Sequence, residues 1–427
     1  MIELGNKKVL VLGLGLHGGG VATTCWLYKQ GARLIVSDLR SSAILKPSLA
    51  KLKCCQGIKF VLGKHREQDV KWADIVVQNP GVPRQSPYIK LAKKLGKPVV
   101  NEATLFFDRC PCPIIGITGT RGKSTTSSWI AALLKTVNKK TVLAGNIRTL
   151  AMLEIVDKLT PGHLVVLELS SWQLEGLKAI KKAPHVAVIT NLYPDHLNRY
   201  KSLVAYYQSK KEIFHYQTKG DYLILNGSQS QLRSWARQAK GTVLFFNAKS
   251  PAASAQNAAA ASIVARLYKV NNAVIKKFLQ SPPGLPGRQE VVGQKQGVTF
   301  VNDTTATTPV ASLAALNRFG SVPGRILLIA GGADKGLDYK DWGQGVKKYC
   351  HEVWLLKGQA SDKMARALAG FKNIHLDYTN LSGAVREAFD LSQKGDVILL
   401  SPAAASFNLW NHEFERGEEF NRAVKRL

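Results

Sequence analysis

The stretch Ile114–Thr126 reads IIGITGTRGKSTT, an apolar run that enters a glycine-rich loop and continues as a helical pattern. Main-chain N–H groups of such a loop can surround phosphate oxygens, and Lys123 can neutralise the outer phosphates of a nucleotide. The hydroxyl group of Ser124 or Thr125 can reach Mg²⁺. The stricter motif would place a glycine at Ile117. Strand, loop, Gly-Lys-Ser and helix in this order nevertheless favour a nucleotide site over a structural turn.

Two later apolar runs also lead into residues that can bind a metal ion or act in catalysis. Residues 164–167 lead into Glu168, and residues 186–190 lead towards Asp195 and His196. In open α/β sheets, ligands bind at the carboxyl ends of the strands, and a carboxylate beside a phosphate loop is a natural oxygen ligand for Mg²⁺. A single histidine is more often structural. The phosphate loop, Glu168 and the Asp195-His196 pair nevertheless follow three successive strands, and this arrangement favours one shared ligand site.

The amino-terminal residues carry a second glycine-rich turn. The apolar run from Lys7 to Leu16 ends in Gly-x-Gly-x-x-Gly at residues 13–18. A helical stretch, a second apolar run at residues 33–36 and Asp38 follow. This is the spacing of a Rossmann-type fingerprint, in which glycines let the main chain approach a diphosphate at a helix terminus. Taken alone the signal is weak, since a tight turn without a ligand has the same pattern.

Two proline-rich breaks divide the chain. Cys110–Pro113 reads Cys-Pro-Cys-Pro, and Ser281–Gly287 is rich in proline and glycine. Between them, apolar runs alternate with helical patterns, which predicts an α/β fold with mostly parallel sheets and domains at residues 1–112, 113–286 and 287–427. Beyond the runs already named, strands are expected at residues 75–78, 98–100, 141–144, 222–225, 299–301, 325–330, 353–356 and 397–400.

Length and composition agree with this division. The 427 residues suggest about three domains, and 45% hydrophobic with 21% charged residues excludes disorder, collagen and a disulfide-stapled miniprotein. The apolar run Val9–Leu16 is far shorter than the roughly 18 to 20 residues that span a bilayer, so a cytoplasmic protein without a membrane span is expected. The six cysteines lack zinc-ligand spacing and are interpreted as reduced thiols.

The net charge of +30 permits a nucleic-acid partner or anionic substrates. The basic residues are spread in pairs such as Lys7-Lys8 and Lys139-Lys140, and no dense tail or arginine-rich arm stands out. A solvated basic surface is therefore the favoured interpretation, and nucleic acid is not the expected partner.

The strand-end motifs together resemble the Mur ligases, which are ATP-dependent amide ligases of peptidoglycan synthesis. The resemblance rests on Gly-Thr-x-Gly-Lys-Ser-Thr at 119–125, Glu-Leu-Ser-Ser-x-Gln-Leu-Glu at 168–175 and Asn-x-x-x-Asp-His-x-x-Arg-Tyr at 191–200. It extends through further segments at residues 255–258, 284–290, 302–307, 400–407 and 414–420. The last two are closest to the family member that adds D-glutamate, and the Asp-Asn-Pro-Arg signature of the diaminopimelate- or lysine-adding member is absent from the sequence.

The resemblance implies a three-domain architecture: a Rossmann-like amino-terminal domain, a central ATPase-like domain with the phosphate loop, and a Rossmann-like carboxyl-terminal domain. It implies addition of D-glutamate to UDP-N-acetylmuramoyl-L-alanine through an acyl phosphate, with ADP and phosphate as products. It also implies a cytoplasmic enzyme, and we expect a monomer. Alternatives are another ligase of the superfamily, adding L-alanine or of the folylpolyglutamate type, or a basic nucleotide-binding protein that acts on nucleic acid.

By the same resemblance, ATP would be bound by Gly119, Thr120, Arg121, Gly122, Lys123, Ser124, Thr125, Asn257, Arg288 and Asp303. Two Mg²⁺ sites would involve Ser124, Glu168, His196 and Lys210, and the residues closest to the chemistry would be Lys123, His196 and Lys210. Lys210 matches a position that the family carbamylates. An ammonium group cannot ligate Mg²⁺, whereas a lysine carbamate presents carboxylate-like oxygens. Lys211 is the alternative, and an ordinary solvated lysine pair also fits.

The resemblance implies that the nucleotide-sugar would contact Gly15, Leu16, His17, Asp38, Arg40, Asn79 and Asn146. The incoming amino acid would contact Thr307, Lys335, Ser406 and Phe407. A dicarboxylic amino acid needs a cation and hydroxyl or main-chain donors at its two ends, which agrees with these residue types. For Ser406 and Phe407, an ordinary loop and a core aromatic remain alternatives.

Overall fold

The chain alternates between buried strands and helices from its first residues onward. A computed structural model describes residues 1–16, 18–147, 150–195, 199–248, 253–321, 323–407, 409–410 and 412–427. The chain divides into two compact units, Met1–Pro282 and Pro283–Leu427. Over the described residues, no helix combines the length and the apolar character needed to cross a membrane.

The first sheet of the amino-terminal unit is parallel throughout its described strands and has the order β3-β2-β1-β4-β5. This is the doubly wound order, with β1 at its centre. Its strands are β1 (Lys8–Leu12), β2 (Arg33–Asp38), β3 (Lys59–Leu62), β4 (Ile75–Gln78) and β5 (Val99–Val100). Its helices are α1 (Gly19–Lys29), α2 (Ser42–Ala50), α3 (Glu67–Trp72), α4 (Pro87–Lys94) and α5 (Glu102–Arg109).

The second sheet of the same unit is also parallel where it is described, with the order β11-β10-β9-β6-β8-β7. Its strands are β6 (Ile114–Thr118), β7 (Thr141–Gly145), β8 (Leu164–Glu168), β9 (Val186–Ile189), β10 (Tyr222–Asn226) and β11 (Thr242–Phe246). Its helices are α6 (Lys123–Leu134), α7 (Met152–Ile155), α8 (Ser171–Leu174), α9 (Leu203–Lys211), α10 (Ser230–Trp235), α11 (Ala253–Leu267) and α12 (Asn272–Gln280). Strand β6 lies between β9 and β8, so the loops after these three strands meet at one edge.

The carboxyl-terminal unit contains a third sheet of order β12-β13-β17-β14-β15-β16, in which β12 pairs antiparallel and the other described pairs are parallel. Its strands are β12 (Glu290–Lys295), β13 (Val298–Asn302), β14 (Ile326–Gly331), β15 (Cys350–Leu356), β16 (Ile374–Tyr378) and β17 (Val397–Leu400). Its helices are α13 (Pro309–Phe319), α14 (Lys340–Tyr349), α15 (Gln359–Ala367), α16 (Leu381–Asp390) and α17 (Glu413–Arg426).

Central strands such as β1 and β8 are buried along nearly their whole length, as expected for parallel sheets that helices cover on both faces. The sequence analysis did not predict β3, β11, β12 or β16. All four lie at the edges of their sheets. An edge strand is more exposed on its unpaired side and carries a shorter apolar run, so its signal in the sequence is weak.

Helix α5 joins the first two sheets. Asn101 caps its amino terminus and also donates to the main-chain oxygens of Trp172 and Gln173 at 3.0 and 3.1 Å. Phe106 and Phe107 of α5 are buried in a core that also contains residues of both sheets. The predicted first and second domains therefore pack as one unit, while the boundaries at residues 112 and 286 stay predictions.

Candidate active site

The loop between β6 and α6 needs glycine at two positions. Gly119 and Gly122 have φ angles of 146° and 77°, in the region that side chains other than glycine disfavour. A Cβ atom on Gly122 would overlap the side-chain oxygen of Asn257, and one on Gly119 would overlap the hydroxyl oxygen of Thr190. The loop is therefore closely packed against two neighbouring segments.

Two residues at the end of β9 hold this loop in place. Thr190 donates its hydroxyl hydrogen to the main-chain oxygen of Arg121 at 2.6 Å. The side-chain oxygen of Asn191 accepts from the Arg121 N–H at 2.8 Å, and its main-chain oxygen accepts from the Thr120 N–H at 3.0 Å. Sequence reasoning did not select Thr190 or Asn191 as site residues. Their position directly after a strand beside β6 was the available signal.

Helix α6 starts at Lys123 and has no acidic side chain in its first turn, all of which the structure describes. The amino terminus of a helix attracts phosphate through its unpaired N–H groups and dipole. The Lys123 ammonium donates to the main-chain oxygen of Thr120 at 3.1 Å, so it lies against the loop. The geometry of this loop and helix suits a polyphosphate.

Glu168 ends β8, where it is paired in register with Ile117 of β6. Its side chain is 2% exposed, and its Oε1 accepts from the Asn146 side-chain amide at 3.1 Å. Its Oε2 is buried and has no hydrogen-bond partner within the described part of the chain. An unpartnered buried carboxylate oxygen is costly, and a hard divalent cation would satisfy it.

These residues fit Mg²⁺ as it is usually held beside nucleotides. The described residues contain no group of three His, Cys, Asp or Glu side chains arranged to bind a metal by themselves. Mg²⁺ commonly uses one or two carboxylates together with substrate phosphates and water. Glu168, with the hydroxyl of Ser124, fits that pattern.

Lys210 of α9 reaches the same loop. Its ammonium donates to the main-chain oxygen of Gly119 at 2.8 Å and lies 4.6 Å from the ring centre of Tyr206. Burial lowers the pKa of Lys210 well below its ordinary value, and the positive charge of Lys123 adds to this effect. Asp195 and Glu168 act in the opposite direction.

The neighbouring lysine faces elsewhere. Lys211 donates to the side-chain oxygen of Gln238 at 3.0 Å and lies over the ring of Trp235. Of the lysine pair, Lys210 is thus the one beside the phosphate loop. The prediction for His196 concerns a residue outside the described ranges.

Asn257 of α11 is 6% exposed and accepts a hydrogen bond from the hydroxyl of Thr126 at 3.2 Å. It therefore lies at the start of α6, beside Gly122. Within the second sheet, the structure brings together Lys123, Glu168, Lys210 and Asn257, together with the loop residues of the 119–125 motif.

In the first sheet, Asp38 binds the glycine-rich turn itself. One carboxylate oxygen accepts from the N–H groups of Leu14 and Gly15, each at 2.9 Å, and the other accepts from the Arg40 N–H at 2.8 Å. Asp38 is 3% exposed. This carboxylate therefore stabilises the shape of the turn. The Arg40 side chain remains 52% exposed.

The other predicted nucleotide-sugar residues are divided between the two sheets. Asn79 is buried and donates to the Gly13 main-chain oxygen, and the Gly15 oxygen accepts from Ser48 at 2.7 Å. Leu16 lies in the same turn, and His17 falls outside the described residues. Asn146 belongs to the Glu168 side of the second sheet.

In the carboxyl-terminal unit, Asp303 follows β13 and is 5% exposed. Its carboxylate accepts from the Ser401 hydroxyl at 2.9 Å and from the Gln289 N–H at 3.1 Å. Burial raises the pKa of Asp303 to about 7, and the positive charge of Arg288 partly opposes this shift. Arg288 is therefore near enough to Asp303 to influence its charge.

The predicted amino-acid residues lie on loops after adjacent strands of the third sheet. The Lys335 ammonium donates to the Thr307 hydroxyl at 3.0 Å. Ser406 is 1% exposed, and its hydroxyl oxygen has no partner among the described residues. Phe407 is 64% exposed, so it is not a core aromatic. A buried hydroxyl without a partner and an exposed aromatic on the same loop are consistent with a ligand site.

Comparison with known proteins gives three family matches in chain order. A model described as the MurD-like amino-terminal domain of Mur ligases matches residues 7–101. The Mur ligase middle domain matches residues 117–291, and the glutamate ligase domain of Mur ligases matches residues 287–404.

Full-length relatives carry one common name. Proteins named UDP-N-acetylmuramoylalanine–D-glutamate ligase from Roseiflexus sp., Borreliella afzelii and Clostridioides difficile are 37%, 34% and 32% identical to this chain. The alignments cover 99–100% of this chain and 99–100% of each relative.

Solved structures share the fold. The MurF ligase of Thermotoga maritima in complex with ADP is 18% identical, with a TM-score of 0.60 over all of this chain and 97% of that one. MurF of Acinetobacter baumannii is 16% identical, with a TM-score of 0.59 over 84% of this chain and 87% of its own.

Proposed function

Because the chain belongs to the Mur ligase family, we propose that it adds D-glutamate to UDP-N-acetylmuramoyl-L-alanine, with cleavage of ATP to ADP and phosphate. The observation that carries this proposal is the identity of 32–37% over nearly the whole chain to relatives named for that reaction. The phosphate loop, with its adjacent carboxylate, supports the use of ATP.

A carboxylate is a poor electrophile, so its joining to an amine requires activation. In the proposed first step, an oxygen of the L-alanyl carboxylate attacks the γ-phosphorus of ATP, the bond from that phosphorus to the bridging oxygen breaks, and ADP leaves. In the second step, the D-glutamate amine attacks the acyl carbon, loses a proton, and inorganic phosphate leaves. The product contains a new amide bond.

The residues of the second sheet would serve the first step. Lys123 and the amino terminus of α6 would bind the β- and γ-phosphates, and the closely packed loop would hold them in line for attack. Mg²⁺ held by Ser124 and Glu168 would supply charge neutralisation at the phosphate oxygens. The buried, unpartnered Oε2 of Glu168 supports this assignment.

We extend the proposal to a second Mg²⁺ site that includes His196 and a carbamate on Lys210. Lys210 is buried beside Gly119, and its lowered pKa favours the neutral amine that reacts with CO₂. The carbamate would exchange a buried positive charge for an anionic oxygen ligand. Asp195 and Glu168 are near enough to influence its charge.

Substrate contacts are assigned to the remaining loops. The turn at Gly15 and Leu16, with His17, Arg40, Asn79 and Asn146, would bind the nucleotide-sugar, and Asp38 would hold that turn. In the carboxyl-terminal unit, Arg288 and Asp303 would contact ATP, and the amino acid would contact Thr307, Lys335, Ser406 and Phe407. We place the enzyme in the cytoplasm, because its proposed substrates ATP and a UDP-sugar are found there. The proposal also takes it to be a monomer.

The test is product formation by purified protein. Steady-state ADP production should require both UDP-N-acetylmuramoyl-L-alanine and D-glutamate, and mass analysis should find one glutamate added to the acceptor. L-glutamate, L-alanine and folate substrates form the rest of the panel, so that other ligases of the superfamily are distinguished. K123A should abolish turnover, whereas K140A, at an exposed lysine, should retain it. Strict dependence on L-alanine or on a folate would overturn the proposal.

A further inference from the structure

The carboxyl-terminal unit contains a fully buried arginine that the predicted site does not include. Arg416 of α17 has an exposed fraction of 0%. Its guanidinium donates to the Thr304 hydroxyl at 3.2 Å and to the Thr304 main-chain oxygen at 2.9 Å. It also donates to the Ala404 main-chain oxygen at 3.3 and 3.4 Å, from its two terminal nitrogens.

These acceptors lie on two loops that carry amino-acid-site residues. Thr304 stands three residues before Thr307, and Ala404 stands two residues before Ser406. Arg416 therefore connects the loop after β13 to the loop after β17.

The third loop of the site is tied to both of them. Lys335, after β14, donates to Thr307 at 3.0 Å. Ala333, on the same loop, pairs through its main chain with Ala405. The three loops thus contact one another in a closed set. The loops after β13 and β17 also meet directly, since the Ala403 N–H donates to the Ala306 main-chain oxygen at 2.8 Å, and Arg416 adds buried side-chain hydrogen bonds to both of them.

The electrostatic setting of Arg416 is unusual. Among the described residues, no carboxylate forms an ion pair with its guanidinium, and its hydrogen-bond acceptors are neutral oxygens. Burial lowers the pKa of Arg416 to about 9, so the group still carries its charge at neutral pH. Glu413, at the start of α17, is the acidic group that opposes this shift.

A buried charge without a counter-ion is expensive, and an apolar side chain of similar volume would pack α17 at lower cost. The arginine therefore contributes something other than packing. A ligand with two carboxylates, bound on the loops that Arg416 connects, would experience its positive potential through a medium of low dielectric constant.

We propose that Arg416 is a positioning residue for the amino-acid site: it helps to hold the loops of Thr307 and Ser406 in register, and its buried positive charge favours a dicarboxylic amino acid. This inference rests on the proposed function, because it takes the loops after β13, β14 and β17 to be the amino-acid site. Arg416 acts through Thr304 and Ala404 and is not assigned a contact with substrate.

The test compares R416K and R416M with wild type in steady-state kinetics. R416M removes the charge and the guanidinium hydrogen bonds to both loops, and it should raise the KM for D-glutamate by about tenfold or more while the KM for ATP changes by less than about twofold. R416K keeps the charge but cannot reach all of the acceptors, so its KM for D-glutamate should lie between those of wild type and R416M. F420L perturbs a buried apolar residue of the same helix, which packs in the hydrophobic core with Val298 and Ala423, and should leave the KM for D-glutamate unchanged.

A role confined to stability would lower the amount of folded enzyme, and hence kcat, without changing any KM. Melting curves of each variant identify the folded fraction. The inference is wrong if folded R416M has the wild-type KM for D-glutamate, or if F420L raises that KM equally. If wild type turns over with another amino acid and not with D-glutamate, the proposed function fails, and the same comparison is made with the KM for that amino acid.

Discussion

The ammonium of Lys210 donates a hydrogen bond to the main-chain oxygen of Gly119, 2.8 Å away, so a buried lysine packs directly against the phosphate loop. Lys210 and Gly119 are 91 residues apart in the chain. The contact places a lysine with a lowered pKa near Lys123, whose positive charge repels that of Lys210. Such a lysine is chemically suited to modification at its neutral amine.

We expect Lys210 to carry a carbamate in the active enzyme. The neutral amine attacks CO₂, forms an N–C bond and releases a proton, and the lowered pKa of Lys210 increases the share of that neutral amine. Enzyme depleted of CO₂ should lose activity and recover it when bicarbonate is added. K210R should be inactive under both conditions, whereas K211R should behave like wild type. Full activity of wild type in rigorously CO₂-free buffer would contradict this prediction.

Glu168→Gln tests the metal site. An amide keeps the shape of the side chain but is a much weaker ligand for Mg²⁺, so kcat should fall by roughly two orders of magnitude and more Mg²⁺ should be needed for half-maximal turnover. Because the change removes a buried carboxylate with an unpartnered oxygen, the melting temperature should not fall. A Mg²⁺ titration of ATP turnover is the measurement, with the exposed Glu67→Gln as the control. A wild-type Mg²⁺ response in E168Q would show that Glu168 is not a ligand.

Gly122→Ala and Gly57→Ala form a matched pair, because both glycines have a φ angle of 77°. Each alanine should cost about 1–2 kcal/mol of stability for adopting a left-handed conformation. A Cβ atom at position 57 meets nothing within 4 Å, whereas one at position 122 overlaps Asn257. Calorimetric titration should therefore find ATP affinity lowered by about tenfold or more in G122A and unchanged in G57A. Equal ATP affinities in the two variants would count against the loop as the phosphate site.

The raised pKa of Asp303 predicts how the stability of the carboxyl-terminal unit depends on pH. Its folded pKa of about 7 lies above its ordinary value of 3.8, so between these values the folded state binds more protons than the unfolded state. The free energy of unfolding should thus decrease as the pH rises from about 4 to about 7, by on the order of 3–4 kcal/mol. In D303N this contribution is absent.

Melting curves near pH 5 and near pH 8 measure this effect. Wild type should lose more stability between the two conditions than D303N does. D390N, at an exposed aspartate of the same unit, should retain the wild-type difference. The same loss in D303N as in wild type would assign the pH dependence to other groups.

Local patterns in the chain were sufficient to predict the phosphate loop, the strand that ends at Glu168 and the α/β class. Each of these depends on a few consecutive residues, in which an apolar run, glycines and a helical pattern follow one another. Resemblance to the Mur ligases then led to the substrates, and the comparisons confirmed the family. Edge strands such as β3 and β16 were missed because their apolar runs are short.

Other features depend on residues that are distant in sequence. The sequence did not indicate that both carboxylate oxygens of Asp38 accept hydrogen bonds from the main chain of Leu14, Gly15 and Arg40. The resemblance selected Lys210 and left Lys211 as the alternative. The two side chains have different surroundings because neighbours on one helix lie about 100° apart. Sequence reasoning did not select Thr190 or Arg416, whose partners lie 69 and 112 residues away.

The amino-acid order was enough to establish which chemical groups this protein possesses and which local segments present them, since strand, loop and helix preferences act over a few residues. Tertiary packing selected which of those groups meet, because contacts such as Lys210 with Gly119 and Arg416 with Thr304 form when separate strands and helices are buried together. Burial also changed what those groups can do, since the pKa of Lys210 and that of Asp303 depend on the loss of solvent around them.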